Sequence, residues 1–253
     1  MRLDLNADVG ESFGAYKLGQ DEQLMPAISS ASIACGFHAG DPATMRETVA
    51  LARRHDVAMG AHPGYPDLIG FGRREIRATP REVEDLVTYQ IGALMAVAAA
   101  QGVRLQHVKP HGALYNMAIR DAALADAIAR ATAAVDSTLI LFGLPGSELI
   151  AAGRRAGLRT AREGFADRSY KPDGTLVPRH DPGAVIGDPA AVVGRAISMA
   201  RDHEVSAIDG SLVALELETI CVHGDTPDAA VLAARIRRAL TDAGVSVRPV
   251  GAD

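Results

Sequence analysis

Side chains able to move protons, hold metal ions or bind anions recur in this 253-residue chain at one kind of place. Val108-Lys109-Pro110-His111-Gly112 puts a lysine and a histidine directly after a short apolar run, Leu105 to Val108. Proline cannot donate to a sheet ladder and glycine accepts unusual backbone angles, so a strand should end there. A lysine leaving a buried strand needs a carboxylate, a substrate or a cavity to meet its charge. The pattern repeats along the chain as Asp8 and Glu11, His38 and Asp41, His62 and Asp67, Glu163 and Asp167, and His223 and Asp225.

Two chemistries suit such groups. Histidines with an aspartate could hold a divalent metal, with His38 and His62 as ligands and an open position for water. Alternatively Asp8 or a histidine such as His111 acts as general base, with Lys109 stabilising developing negative charge. Each residue also has a structural reading. Asp41 and Asp225 suit helix caps, Asp67 a Pro-Asp turn, and Glu11 a partner for a nearby arginine. His55 and His203 fall near helix ends, His180 in a long loop and His107 inside a strand, which suits structural roles. The chain has no G-x-x-x-x-G-K-[ST] loop and no Ser-x-x-Lys nucleophile motif.

The elements that must position these groups alternate. Apolar strands are predicted at Leu3 to Val9, Ser30 to Cys35, Val57 to Ala61, Leu105 to Val108, Thr138 to Phe142, Arg159 to Arg162 and Thr219 to Val222. Helices follow from Pro42 behind Asp41, from Pro80 behind the capping box Thr79-Pro80-Arg81-Glu82, from Asp121, from Pro145, from Pro189 behind Asp188 and from Pro227 behind Thr226. Val245 to Val250 should close the sheet or lie on its edge. Ala166 to Gly187 shows turn signals alone, as a lid or a small excursion would. Strands alternating with helices indicate a parallel α/β sheet, with no linker to divide residues 1–253. Seven or eight such units suit a closed (β/α) barrel, in which every strand-to-helix junction shares one face; a doubly wound open sheet is the alternative.

Composition narrows the function. A hydrophobic fraction of 48% supports a large core, and a net charge of -5 without basic runs argues against nucleic acid. The two cysteines, Cys35 and Cys221, lie in apolar stretches, which fits a reducing compartment. Met1 to Asn6 carries no apolar h-region, and no stretch approaches the roughly 20 apolar residues of a membrane span. The expectation is a cytoplasmic protein without a nucleic-acid or membrane partner.

The junctions as written resemble the LamB/YcsF family. The matching stretches are Asn6-Ala7-Asp8-Val9-Gly10-Glu11, Ala34-Cys35-Gly36-Phe37-His38-Ala39-Gly40-Asp41 and Gly60-Ala61-His62-Pro63-Gly64-Tyr65-Pro66-Asp67, followed by Gly70-Phe71-Gly72-Arg73-Arg74, Val108 to Asn116, Glu163 to Arg168 and Cys221 to Asp225. The resemblance implies a seven-stranded (β/α) barrel similar to the glycoside hydrolase/deacetylase superfamily. It also implies ATP-dependent opening of the lactam 5-oxo-L-proline to L-glutamate, together with 5-oxoprolinase subunits B and C. The resemblance does not assign roles to residues; on the junction pattern Asp8, Glu11, Lys109, His111, Glu163 and Asp167 are the catalytic candidates. Asn6, Arg73, Tyr115, Arg168, His223 and Asp225 are the candidates for binding substrate, with Lys109, Arg73 and Arg168 meeting a carboxylate or a phosphoryl oxygen. Lys109→Met and Asp8→Asn are both expected to abolish activity with the fold intact. The competing readings are a stand-alone metal-dependent deacetylase or carbohydrate hydrolase, and a non-catalytic scaffold that presents substrate to its partners.

Overall fold

A computed structural model describes residues 1–224 and 228–252. The first strand, β1 (Arg2–Val9), shows how the rest is built. Leu3, Leu5, Ala7 and Val9 alternate with Asp4, Asn6 and Asp8, and the apolar set belongs to the main hydrophobic core. The polar set turns inward, where its members bond to residues of other strands. Period-two alternation thus faces apolar side chains to the helices and polar ones to the barrel interior.

The remaining elements are α1 (Asp21–Leu24), β2 (Ser30–Ala34), α2 (Pro42–Arg54), β3 (Ala58–His62), α3 (Pro80–Ala99), β4 (His107–Val108), α4 (Gly112–Ala118), α5 (Ala122–Val135), β5 (Ile140–Gly143), α6 (Glu148–Arg155), β6 (Arg159–Phe165), α7 (Pro189–Arg201), β7 (Glu204–Ser206), β8 (Leu212–Ala214), β9 (Thr219–Val222), α8 (Ala229–Asp242) and β10 (Ser246–Val247). Strands β1 to β6 pair in order and in parallel, β6 pairs with β9, and β9 pairs with β1. That last pairing closes a seven-stranded parallel barrel and removes the open doubly wound alternative.

β10 does not close anything. Ser246 and Val247 pair with Arg2 and Leu3 on the outer edge of β1. Val250 beyond it packs on Ile140, Phe142 and Ala161, covering the end of the barrel where strands begin. The predicted caps hold: the Asp41 carboxylate accepts from Ala43 and Thr44 at the start of α2, and Thr79 and Glu82 form a reciprocal capping box on α3. Thr226 and Pro227, predicted to open the last helix, lie outside the described residues. The antiparallel hairpin β7–β8 and the short α4 are additional to the predicted elements. Both cysteines are free and buried.

The barrel interior leaves no slack. His107 points inward from β4, stacks on Phe142 at 4.3 Å and faces Ser32 Oγ at 3.2 Å. A Cβ on Gly60 of the adjoining β3 would overlap the His107 ring. Gly60→Ala should therefore cost about 1–3 kcal/mol in denaturant melts, the usual range for an overpacked core. Adding His107→Ala should recover part of that loss, and a Gly60→Ala chain as stable as the parent would show that the ring has room elsewhere.

Candidate active site

The floor of the site is a buried ammonium group. Lys109 follows β4 and is 2% exposed. Its Nζ lies 2.8 Å from Asp8 Oδ1 and 2.9 Å from Glu163 Oε1, and donates to Asn6 Oδ1 at 3.0 Å and to Cys221 Sγ at 2.9 Å. Burial alone would discharge it, but Asp8 and Glu163 hold it well above the usual lysine range. Burial likewise opposes the charge on Asp8, and His62 and Lys109 override it, holding Asp8 well below the ordinary aspartate value. Asn6 Nδ2 donates to Glu163 Oε1 and to Thr219 Oγ1, tying β1, β6 and β9 together under the lysine. The Cys221 thiol is pushed well up by burial and by Asp8, so it stays protonated and inert.

Beside this floor stands a histidine cluster whose tautomers are fixed by two carbonyl oxygens. A carbonyl only accepts, so the ring nitrogen facing it carries the proton. His62 Nδ1 donates to the Lys109 carbonyl at 2.7 Å, leaving a lone pair on Nε2. His111 Nε2 donates to the Phe71 carbonyl at 2.8 Å, leaving a lone pair on Nδ1. These two lone-pair atoms face each other at 2.9 Å. Glu11 Oε1 lies 3.4 Å from His111 Nδ1 and 3.2 Å from His38 Nε2, and Asp8 Oδ1 lies 3.4 Å from His62 Nε2. The His38 ring stacks on His111 at 3.8 Å.

Acceptors converging in a dry pocket repel one another unless a cation sits among them. Protonation is a poor remedy here, because burial and then a neighbouring histidine hold both His38 and His111 well below the ordinary histidine value. Glu11, His38, His62 and His111 each offer one donor atom, all within 4.8 Å of one another. Three imidazoles and a carboxylate form a donor set suited to a divalent ion. Glycine makes room for it: a Cβ on Gly72 (φ +63°) would meet His38 at 2.7 Å and His111 at 2.9 Å.

On the other side of Asp8, His223 Nδ1 donates to Asp167 Oδ2 at 2.7 Å. The Phe165 ring stacks on His223 at 5.6 Å. Burial opposes ionisation of Asp167, but His223 holds it below the usual value, so the pair is a carboxylate orienting an imidazole. His223 Nε2 is left for the cavity, whose volume is about 350 Å³ and whose walls include Asp8, His62, Lys109, His111 and Tyr115. Burial and then Glu163 drive the Tyr115 phenol well up, so it remains a neutral donor beside that carboxylate.

The junction residues therefore divide by position. Asp8, His62, Lys109, His111, Tyr115, Arg73, Arg168 and His223 face the cavity. Asn6 and Glu163 lie beneath Lys109 as its support, Asp167 behind His223, and Glu11 and His38 behind His62 and His111. Arg168 lines the cavity, but its Nε and Nη2 donate to the Ala184 and Val177 carbonyls, so much of its donor capacity holds its own loop. Asp41 caps α2, and Asp67 accepts from Gly70 and Arg74 in its turn. Asp225 lies outside the described residues. Sequence reading missed Arg179, Lys171 and Arg120, which line the cavity from irregular chain and a helix end.

Replacing Lys109 has a structural consequence that the strand-end reading did not anticipate. Lys109→Met strands Asp8 and Glu163 in a dry interior and should cost about 3–5 kcal/mol, whereas Asp8→Asn keeps shape and one carboxylate partner. Urea melts compared for the two variants test this; equal stabilities would contradict it.

Acid should also weaken the fold. Burial pushes His107 down to about 3, and His38 and His111 are also depressed, so all three take up protons below pH 6.5 only on unfolding. Asp4 acts in the opposite sense: burial raises it to about 6, so the fold keeps a proton that the unfolded chain has released. Asp8 and Asp167, both held low, add to the sense of the histidines, so the balance favours the unfolded chain and stability should fall as pH drops from 6 towards 4. Melts in chelator check this, and stability that is flat or rising toward acid would refute it.

The LamB/YcsF family profile matches residues 3–253. The protein named as the A subunit of 5-oxoprolinase in Symbiobacterium thermophilum is 57% identical over 252 residues, which span 100% of this chain and 97% of that protein. The crystal structure of a lactam utilization protein from Thermus thermophilus superposes with a TM-score of 0.93 at 50% identity, covering 98% of this chain and 99% of that one. A structure described as T48 deacetylase with substrate superposes with a TM-score of 0.50 at 16% identity over 98% of this chain and 88% of that one, a likeness of fold alone. With a full-length profile match and a relative of this identity along its whole length, the chain belongs to the LamB/YcsF family.

Proposed function

We propose that this chain is the A subunit of a 5-oxoprolinase, which with subunits B and C opens the lactam of 5-oxo-L-proline to L-glutamate coupled to ATP hydrolysis. The observation that carries the reading is the 57% identity, from end to end, with a protein bearing that name. The cavity suits the chemistry. A five-membered lactam is an unstrained amide, so attack by water needs an activated carbonyl, a group to orient the water and an acid for the departing nitrogen. Phosphorylation of the amide oxygen by ATP is the activation this reading calls for.

Within the cavity, Asp8 is kept ionised by Lys109 and His62 and accepts from the attacking water. His223, oriented by Asp167, offers Nε2 to exchange a proton with the ring nitrogen on the opposite side of Asp8. Lys109 acts through its charge, because its ammonium group is already engaged by Asp8, Glu163, Asn6 and Cys221. The Arg73 side of the cavity meets the substrate carboxylate. A divalent ion held by Glu11, His38, His62 and His111 would supply Lewis-acid polarisation of an oxygen atom in the same pocket. The competing reading as a stand-alone deacetylase has only the fold behind it.

Reconstitution tests the proposal. Glutamate formation should need all three subunits, 5-oxoproline and ATP, and Asp8→Asn should lower it at least about 100-fold without unfolding the chain. Near-normal turnover by Asp8→Asn, or no glutamate from the complete mixture, would sink it. Metal analysis adds an independent readout: the purified chain should take up one divalent ion, and His111→Ala should lose it while keeping its circular dichroism.

A further inference from the structure

The cavity carries more positive charge than a lactam with one carboxylate requires. Arg73, Lys109, Arg120, Arg168, Lys171 and Arg179 line it, against the carboxylates Asp8 and Glu75. Lys109 is compensated from below by Asp8 and Glu163, and Arg120 leans toward Asp173 at 3.6 Å on the rim. The surplus is concentrated on the wall formed by Arg168 and Arg179, whose nearby carboxylate Asp167 is already bonded to His223. Arg168 is only 5% exposed, and burial followed by the nearby Arg179 charge draws it down to about 10. Grouping like charges in a partly dry wall raises the free energy of the protein until an anion arrives.

The backbone holds them there. Arg168 Nε donates to the Ala184 carbonyl at 3.2 Å and Nη2 to the Val177 carbonyl at 2.7 Å. Arg195 donates to the carbonyls of Ala166, Arg168 and Ser206, pinning the same segment from outside. Between those anchors, Lys171 and Arg179 are carried to the cavity wall. Arg168 Nη1 and the Arg179 guanidinium have no hydrogen-bond acceptor among the described residues, so their donors are left for a ligand. A carboxylate is satisfied by one bidentate arginine, whereas a phosphoryl group offers three oxygens and two charges.

We propose that Arg168 and Arg179 form a subsite for a phosphoryl dianion next to the Asp8–Lys109 floor. The proposal rests on the 5-oxoprolinase reading only for the identity of the lactam that would lie beside that phosphoryl group. The shared chemistry is a terminal phosphate, which could belong to an acyl-phosphate-like activated substrate or to a nucleotide. In the first case a phosphotransfer from ATP to the substrate must precede binding here.

Calorimetry on the isolated chain at fixed ionic strength tests this with inorganic phosphate, acetate, acetyl phosphate, ATP and 5-oxoproline. Phosphate should bind saturably and at least about 10-fold more tightly than acetate. Arg179→Ala, which removes no hydrogen bond from the fold, should weaken phosphate at least about 10-fold with an unchanged melting temperature. Arg179→Lys should restore part of the affinity. Acetyl phosphate competing with phosphate while ATP does not would assign the subsite to an activated small substrate; ATP binding more tightly than phosphate would assign it to a nucleotide. No saturable phosphate binding, or equal binding by Arg179→Ala, would overturn the proposal. Phosphate binding with no response to 5-oxoproline would leave the subsite standing and count against the lactam reading instead.

Discussion

A lysine ammonium sealed inside a barrel is the constraint on which this structure turns. Taking such a charge out of water is costly unless partners surround it with good geometry. Lys109 meets that condition only because three separate strands deliver acceptors to one point: Asp8 and Asn6 from β1, Glu163 from β6 and Cys221 from β9. The partners are far apart in sequence, so the pairing exists only when the barrel is closed and in register. A one-residue slip of β1 would turn Asn6 and Asp8 outward and bring Ala7 in. The same group that makes the interior reactive also specifies the topology.

A second constraint follows from charge balance. Asp8, Glu11, Glu163 and Asp167 are all buried, and Lys109 supplies the one buried ammonium among the described residues. His223 compensates Asp167 through a short hydrogen bond. Glu11 has His38 and His111 near it, both kept neutral by burial, and the Lys109 and Phe71 carbonyls fix which ring nitrogens of His62 and His111 stay bare. Two carbonyl oxygens on the backbone thus decide which nitrogen of each ring is turned towards the cluster. A hydrogen bond on the far ring nitrogen is how proteins commonly aim histidine ligands.

Much of this was legible from the sequence because the barrel imposes period-two alternation and places every strand-to-helix junction on one face. Asp8, His62, Lys109, His111 and His223 could be grouped on that basis, without a distance between any two of them. What could not be read was depth. Asn6 and Glu163 look like junction residues in the sequence, but the length of β1 and β6 puts them one layer below the cavity. Asp41 and Asp67 satisfy the same pattern yet serve a cap and a turn, because local backbone donors reach them first. Arg179 and Lys171 left no signal, since an irregular segment has no period from which to infer facing. α4 was hidden for a related reason: it starts at Gly112, its N-cap His111 makes no side-chain cap bond, and it runs only to Ala118.

The irregular segment after β6 is irregular for a physical reason. Beside a few isolated backbone bridges, several of its carbonyls are held by guanidinium groups: Val177 and Ala184 accept from Arg168, and Ala166 and Arg168 accept from Arg195. An arginine fork can hold turns that no strand or helix would, since it satisfies backbone oxygens pointing in different directions. This separates two demands within one cavity. The proton-handling groups sit on rigid strand ends, where barrel closure fixes their spacing, while the cationic wall sits on a segment whose path is set by side chains. Changes in that segment can therefore reshape this wall of the cavity without disturbing Lys109, Asp8 or the histidine cluster beneath.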